Sequence, residues 1–152
     1  MKYGFGVDLG GTTVKIAYFD ENGTMLSKWE IPTVTAGGGA QILPDIAASI
    51  KAYMDEHDVS PASIVGIGIG VPGPVDGKGV VNKCINLGWG VFNIAEELSA
   101  LVGFPVKAGN DANVAARVTS FRPFSHRMTA CTLRMCSTIV AHQRGSLFSP
   151  GR

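Results

Sequence analysis

The stretch "YGFGVDLGGTTVKIAYFDENGTMLSKWEI", residues 3–31, holds three apolar runs separated by two turn signals. "YGFGVDL" reads as a buried strand that ends on an acid, and "GGTT" turns the chain. "VKIAYFD" alternates enough to be a second strand. "ENG" is a hairpin signal, after which "TMLSKWEI" returns as a third. Three consecutive strands joined by tight turns predict an antiparallel start.

Outward from there the period changes. The glycine-rich "TAGGGA" leads into a helix with Ile42, Ile46, Ile50, Tyr53 and Met54 on one face, and Pro44 is tolerated because it falls in the first turn. "DVSPAS" is a connector, and "IVGIGIG" is the continuous apolar and glycine run of a buried, parallel-type strand. "VPGPVDGKG" has too much proline and glycine for either regular element. "VVNKCINLGWGVF" predicts a short strand followed by an irregular loop. Asn93 and Glu96 form a capping box for a helix carrying Ile94, Leu98, Leu101 and Val102, which Gly103 and Pro105 end. "PVKAG" is another short strand, and "NDANVAA" opens a helix. The order βββ-α-β-α-β-α predicts an α/β domain with a mixed sheet and no internal repeat.

Composition divides the 152 residues in two. All twelve acids lie between Asp8 and Asp111, and all seven lysines between Lys2 and Lys107, a net of −5 for residues 1–116. All six arginines follow Ala116, where no acid remains, a net of +6. Glycine drops from eighteen residues to two across the same point. A break this sharp marks a boundary. At the other end, "MKYGFGVDLGG" meets glycines and an aspartate before any apolar run that a signal peptide requires. No window approaches the ~20 apolar residues of a membrane span, so no membrane partner is expected and the cytoplasm is the default location. Cys84, Cys131 and Cys136 lack the pairing of a zinc site. His57 reads as a solvated helix end, and His126 and His142 have no acids near them. Scattered aromatics offer no stacking platform, so no nucleic-acid partner is expected.

Four segments carry candidate chemistry. In "DLGGTTVK", residues 8–15, Gly10 and Gly11 let the backbone approach a phosphate, while N–H groups and the hydroxyls of Thr12 and Thr13 donate to its oxygens. Asp8 is placed to hold Mg2+ through water, and Lys15 adds positive charge unless it is simply solvated. The competing reading is an empty hairpin turn. This is no Walker A loop, because no Gly-Lys-Ser/Thr follows and no helix begins there. "GIGVPGPVDG" contains a literal G-x-G-x-x-G at Gly68, Gly70 and Gly73, but Pro72 and Pro74 prevent the helix that a dinucleotide fingerprint needs. It reads better as one wall of a small-molecule pocket. In "INLGW", Asn86 and Trp89 suit sugar hydroxyls and an apolar sugar face, or else Trp89 plugs the core and Asn86 caps a turn. In "GNDAN", Asp111 would take a proton from an attacking hydroxyl and Asn110 would orient it; alternatively both cap a helix.

"DLGGTTVK", "GIGVPGPVDGKGVV", "NLGW" and "NDAN", in this order, resemble the ROK family of sugar kinases and repressors, and within it the bacterial glucokinases. The resemblance covers residues 2–116. It implies an actin-like ATPase, ribonuclease-H-like fold and transfer of the γ-phosphate of ATP, with Mg2+, to glucose or a related hexose. Asp8, Gly10, Gly11, Thr12, Thr13 and Lys15 fall on the first phosphate motif, Asp111 on the catalytic base and Asn110 on a sugar-hydroxyl ligand. Residues 72–76, which include Pro72 and Gly73, and residues 86–89, which begin with Asn86, fall on the sugar side. The family's second phosphate loop, E-x-G-H motif, cysteine-rich zinc site and C-terminal domain have no counterpart in residues 117–152. That tail is expected to be out of frame or disordered, and the chain to be a truncated, inactive kinase. The alternatives are a sugar-binding fragment without catalysis and a remnant of a ROK-type regulator, although residues 1–2 leave no room for a DNA-binding helix-turn-helix ahead of the first strand. Full-length relatives are expected to form homodimers.

Overall fold

The computed structural model describes residues 1–73, 75–76, 78–81, 84 and 87–110. The chain opens with β1 (Tyr3–Leu9), β2 (Thr13–Asp20) and β3 (Met25–Pro32). They pair antiparallel in sequence order, as the two turn signals require, with Leu9 opposite Val14 and Thr13 opposite Pro32. A short 3-10 turn, Ala36–Gly39, leads into α1 (Ile42–Glu56), and β4 (Ile64–Val71) follows. The two-residue strands β5 (Val80–Val81) and β6 (Phe92–Asn93) pair with each other, the latter running directly into α2 (Ile94–Val102). Last comes β7 (Val106–Asn110). The helix expected from Asp111 onward and the tail 117–152, with Cys131, Cys136, His126 and His142, lie outside the described residues.

The main sheet has the order β3-β2-β1-β4-β7, and β1, β4 and β7 run parallel. The chain steps from β1 to β4 to β7 in one direction across the sheet. A single crossover handedness therefore carries both helices over the same face. That face presents Phe5, Val7 and Leu9 from β1, Val14, Ile16 and Tyr18 from β2, and Ile67, Ile69 and Val71 from β4, all in one cluster with the buried side of both helices. In α1 the buried positions Ile42, Ile46, Ile50 and Met54 recur every fourth residue, which is the helical stripe the sequence predicts. In α2 the cap is as expected, with the Asn93 side chain accepting the N–H of Glu96 at 3.1 Å. Gly103 ends the helix in the left-handed region at φ 78°, its N–H donating to the Ser99 carbonyl at 2.8 Å.

Two expectations are corrected. Leu101 does not join the buried stripe of α2 but is 38% exposed, because the last turn of that short helix borders a cleft rather than the sheet. The segment 80–92 opens with the expected short strand, β5, but is not simply a loop beyond it. It folds back as the β5–β6 pair, with a further bridge between Cys84 and Trp89.

An aromatic cluster fastens α1 to the sheet. Trp29 and Tyr53 stack at 4.4 Å, Phe5 meets Tyr18 at 5.1 Å, and the Trp29 indole N–H donates to Ser49 Oγ at 2.8 Å. Burial first, and then the phenols of Tyr3 and Tyr53 beside it, push the Tyr18 hydroxyl up to about 12. In the unfolded chain the same group ionises near its ordinary value of 10.0. The folded state thus favours the neutral phenol, and the stability this supplies is present below pH 10 and lost as pH climbs toward 12. Urea midpoints are expected to stay level up to pH ~10 and to drop beyond it, in step with tyrosinate absorbance. A Tyr18→Phe chain with an identical alkaline drop would refute this assignment.

Candidate active site at the carboxyl ends of the parallel strands

Parallel registry brings the predicted motifs to one edge. One row crosses all five strands: Glu30, Lys15, Asp8, Gly70 and Gly109 stand opposite one another in turn. Neighbouring strands lie ~4.8 Å apart, so the segments leaving β1 and β7 begin roughly 10 Å from each other, with β4 between them. Ligand sites in open α/β sheets form at this edge, beyond the carboxyl ends of the strands.

Asp8 is half-buried near the end of β1, on the face turned away from the helices, since it alternates with the core residues Val7 and Leu9. Lys15 lies directly across from it on β2 and is half-buried on the same face. On the other side the row continues with Gly70 and Gly109.

The turn at residues 10–12 is held from two directions. The Gly10 N–H donates to the Thr13 carbonyl at 3.1 Å. Thr33, just past β3, donates its N–H to the Thr12 carbonyl at 2.9 Å and its hydroxyl to the Gly10 carbonyl at 2.8 Å. Gly11 and Thr12 are left exposed at the tip, and Thr13 is half-buried. The carbonyls of Gly10, Thr12 and Thr13 are thus engaged by the protein, which favours a tip that offers N–H and hydroxyl donors to an anion. Thr33 belongs to no motif of the sequence. A threonine after a strand carries no signal until the hairpin is folded against it.

Pro72 is exposed and Gly73 buried immediately past β4. The loop beyond them is shaped by Asp76, whose carboxylate accepts the N–H groups of Lys78 at 2.8 Å and Val80 at 3.0 Å. Those bonds, Val80 first, hold the Asp76 carboxyl below the usual carboxylate range. Asp76 therefore acts as a turn former. Asn110 ends β7 opposite Val71. Asp111 and Asn86 lie outside the described residues, the first as the residue that follows β7 in the chain and the second between Cys84 and Leu87.

Trp89 is a plug of the core: it is 6% exposed and its indole N–H donates to the Gly39 carbonyl at 3.1 Å. Phe92 meets it edge-on at 5.0 Å. Beside them opens a cleft of about 550 Å³ between the start of α1 and α2, with Leu43, Leu101 and Glu97 on its walls.

For a divalent cation, the end of β1 offers the Asp8 carboxylate, two residues before the turn that leaves Thr12 exposed. That suits Mg2+, which is usually held by one or two carboxylates together with substrate phosphates. Among the described residues no group of three or more His, Cys, Asp or Glu side chains could hold a metal by itself. No described helix is long and apolar enough to cross a membrane.

Comparison with known proteins agrees with the motif reading. The model of the ROK family matches residues 4–127. A glucokinase of Halalkalibacterium halodurans is 39% identical over 112 residues, covering 73% of this chain and 34% of the relative. Among solved structures, a ROK family glucokinase from Streptomyces griseus in complex with glucose and AMPPNP superposes with a TM-score of 0.62 at 31% identity, covering 83% of this chain and 36% of that one. A ROK hexokinase from Thermus thermophilus superposes with a TM-score of 0.59 at 32% identity, covering 76% and 37%. The chain spans about a third of the length of the curated relatives it matches.

Proposed function

The chain belongs to the ROK family, and from that premise we propose that residues 1–116 are the N-terminal lobe of an ATP-dependent hexose kinase of glucokinase type, operating in the cytoplasm. The observation that carries this reading is the shared edge. The turn after β1, the Pro72 and Gly73 corner after β4 and Asn110 at the end of β7 all leave the sheet on one side.

In this reading Asp111 accepts the proton of the attacking sugar hydroxyl while Asn110 orients that hydroxyl. A positioned base of this kind contributes about 100- to 10,000-fold. Pro72, Gly73 and Asn86 line the sugar, and the exposed tip at Gly11 and Thr12, whose turn the Gly10–Thr13 bond closes, receives the phosphates with its N–H and hydroxyl donors and the Thr13 hydroxyl. Lys15 adds positive charge on their side of the sheet. Asp8 would hold Mg2+ through water, and the ion would neutralise charge on the phosphate oxygens.

A lobe that supplies one wall of the site holds the acceptor but cannot align it with the donor, and phosphoryl transfer depends almost wholly on that alignment. We therefore expect the 152-residue chain to bind glucose without turning it over. Calorimetric titration is expected to show binding that Asp111→Ala weakens at least tenfold, about 1.4 kcal/mol. A coupled assay on the same preparation is expected to stay at background. Rapid glucose phosphorylation would contradict the one-lobe reading, and equal heats from both chains would contradict the role of Asp111. The tail 117–152, with its six arginines and no acid, is proposed to be joined out of frame. Translating the encoding DNA beyond codon 116 in the other two frames tests this, since one of them should restore an E-x-G-H segment.

A further inference from the structure

We infer that Thr33 is the positioning residue of the phosphate turn: its hydroxyl holds the Gly10 carbonyl away from the Thr13 N–H, and so leaves the Gly11 and Thr13 N–H groups turned outward for an anion. This deepens the kinase reading above and rests on it. A two-residue hairpin ordinarily closes with both bonds of its flanking pair, here Gly10 and Thr13. The Gly10 N–H makes one of them, to the Thr13 carbonyl at 3.1 Å. Among the described residues the reciprocal bond, from the Thr13 N–H to the Gly10 carbonyl, is not made, and Gly11 and Thr12 form a bend rather than a hydrogen-bonded turn. The Gly10 carbonyl accepts the Thr33 hydroxyl instead, at 2.8 Å and across 23 residues of chain.

Peptide planarity carries this to the donors. In a trans peptide the C=O of one residue and the N–H of the next point in opposite directions. With the Gly10 carbonyl held on Thr33 Oγ1, the Gly11 N–H faces away from Thr33. The Thr33 N–H takes the Thr12 carbonyl at 2.9 Å, so the Thr13 N–H faces away from Thr33 as well. One residue thus orients two peptide planes, and its side chain keeps the Thr13 N–H from being used up in closing the hairpin. Backbone N–H groups turned to one side make a concavity that binds anions. Thr33 is half-buried and anchored just past β3, which pairs with β2 along its length. Donors fixed in this way before a nucleotide arrives have little freedom left to lose on binding.

Thr33→Val keeps the branched shape and the backbone N–H but removes the hydroxyl, whereas Thr33→Ser keeps the hydroxyl. In the free Thr33→Val chain the Gly10 carbonyl is released to the Thr13 N–H, so hydrogen exchange of the Thr13 amide is expected to slow at least fivefold. A hydroxyl that merely braced the hairpin predicts the opposite, faster exchange. In calorimetric titration, affinity for a non-hydrolysable ATP analogue with Mg2+ is expected to drop at least fivefold in Thr33→Val and to stay within about twofold of the parent in Thr33→Ser. Thr33→Ala, which removes the hydroxyl without putting a methyl in its place, should match Thr33→Val in both readouts. Unchanged or faster Thr13 exchange in a folded Thr33→Val chain overturns the diverted carbonyl. Slower exchange with parental nucleotide affinity overturns its part in binding. A parent chain that binds no nucleotide fails the kinase reading itself, and the positioning role with it; a parent that binds, and loses binding in Gly11→Ala but not in Thr33→Val, sinks the positioning role alone.

Discussion

Phe5→Ala is expected to lower the unfolding free energy of the chain by about 3–5 kcal/mol. Phe5 sits on the central strand, fully buried, with ring centroids at 5.1 Å from Tyr18, 6.1 Å from Tyr53 and 6.4 Å from Trp29. The loss has two parts, the transfer of the ring and the cavity it leaves. The second part is large here because the surrounding rings cannot move in. Trp29 is stacked on Tyr53 and tied to Ser49, Tyr53 is stacked on His57 at 4.1 Å, and Tyr18 is stacked on Tyr3 at 5.2 Å. Domains have only about 5–15 kcal/mol in hand, so much of the margin goes with one side chain. Urea titration followed by circular dichroism measures it. Leu26→Ala, at a site 50% exposed on edge strand β3, serves as the control and should stay within ~0.5 kcal/mol of the parent. A Phe5→Ala loss below about 1 kcal/mol would mean that this cluster is looser than its geometry implies.

The same cluster explains what could be read in advance. The three opening strands, α1, β4 and the capped start of α2 are written in local patterns: alternation, a fourth-residue stripe, a continuous apolar run and an Asn three residues before a Glu. Those patterns are set by which face each segment buries, so they survive in the linear sequence. The parallel-type character of "IVGIGIG" followed likewise from its apolar run. By contrast, β5 and β6 are two residues each, too short for any period to register. Leu101 has the helical spacing of a core residue, yet the helix ends over a cleft, which spacing cannot reveal. The Gly39 contact with Leu87 and Trp89 joins segments far apart in the chain. "TAGGGA" reads as a flexible lead into a helix until the partner loop is seen to occupy the space where side chains would be. Trp89 had two readings, and the buried indole bond to Gly39 decides for the core plug. The candidate site was legible to a similar depth. Its motifs each sit at a strand end in the linear sequence, but that Asp8, Gly70 and Gly109 stand in one row is a property of parallel registry alone.

Gly10 and Gly11 are adjacent and share the phosphate motif, yet alanine is expected to act oppositely at the two. A Cβ on Gly10 would stand 2.7 Å from the Thr13 carbonyl oxygen, the acceptor that closes the turn. Gly10→Ala must push these apart, loosening the hairpin and the Thr33 contacts with it, at about 1–3 kcal/mol of stability. At Gly11 nothing lies within 4 Å of where a Cβ would be, and its φ is not in the left-handed region. Gly11→Ala should therefore leave stability within about 0.5 kcal/mol of the parent. If the exposed tip is where phosphate oxygens reach the backbone, however, the added methyl occupies their approach. Affinity for a non-hydrolysable ATP analogue in the presence of Mg2+ should then fall at least tenfold, about 1.4 kcal/mol, with no change in the melting temperature of the free chain. A hairpin that binds nothing predicts the reverse: a parent with no measurable nucleotide affinity, or a Gly11→Ala chain that binds as the parent does. Because the substitution leaves the fold alone, loss of nucleotide affinity at Gly11 can be assigned to contact with the ligand, an inference that Gly10→Ala, which disturbs the turn itself, cannot support.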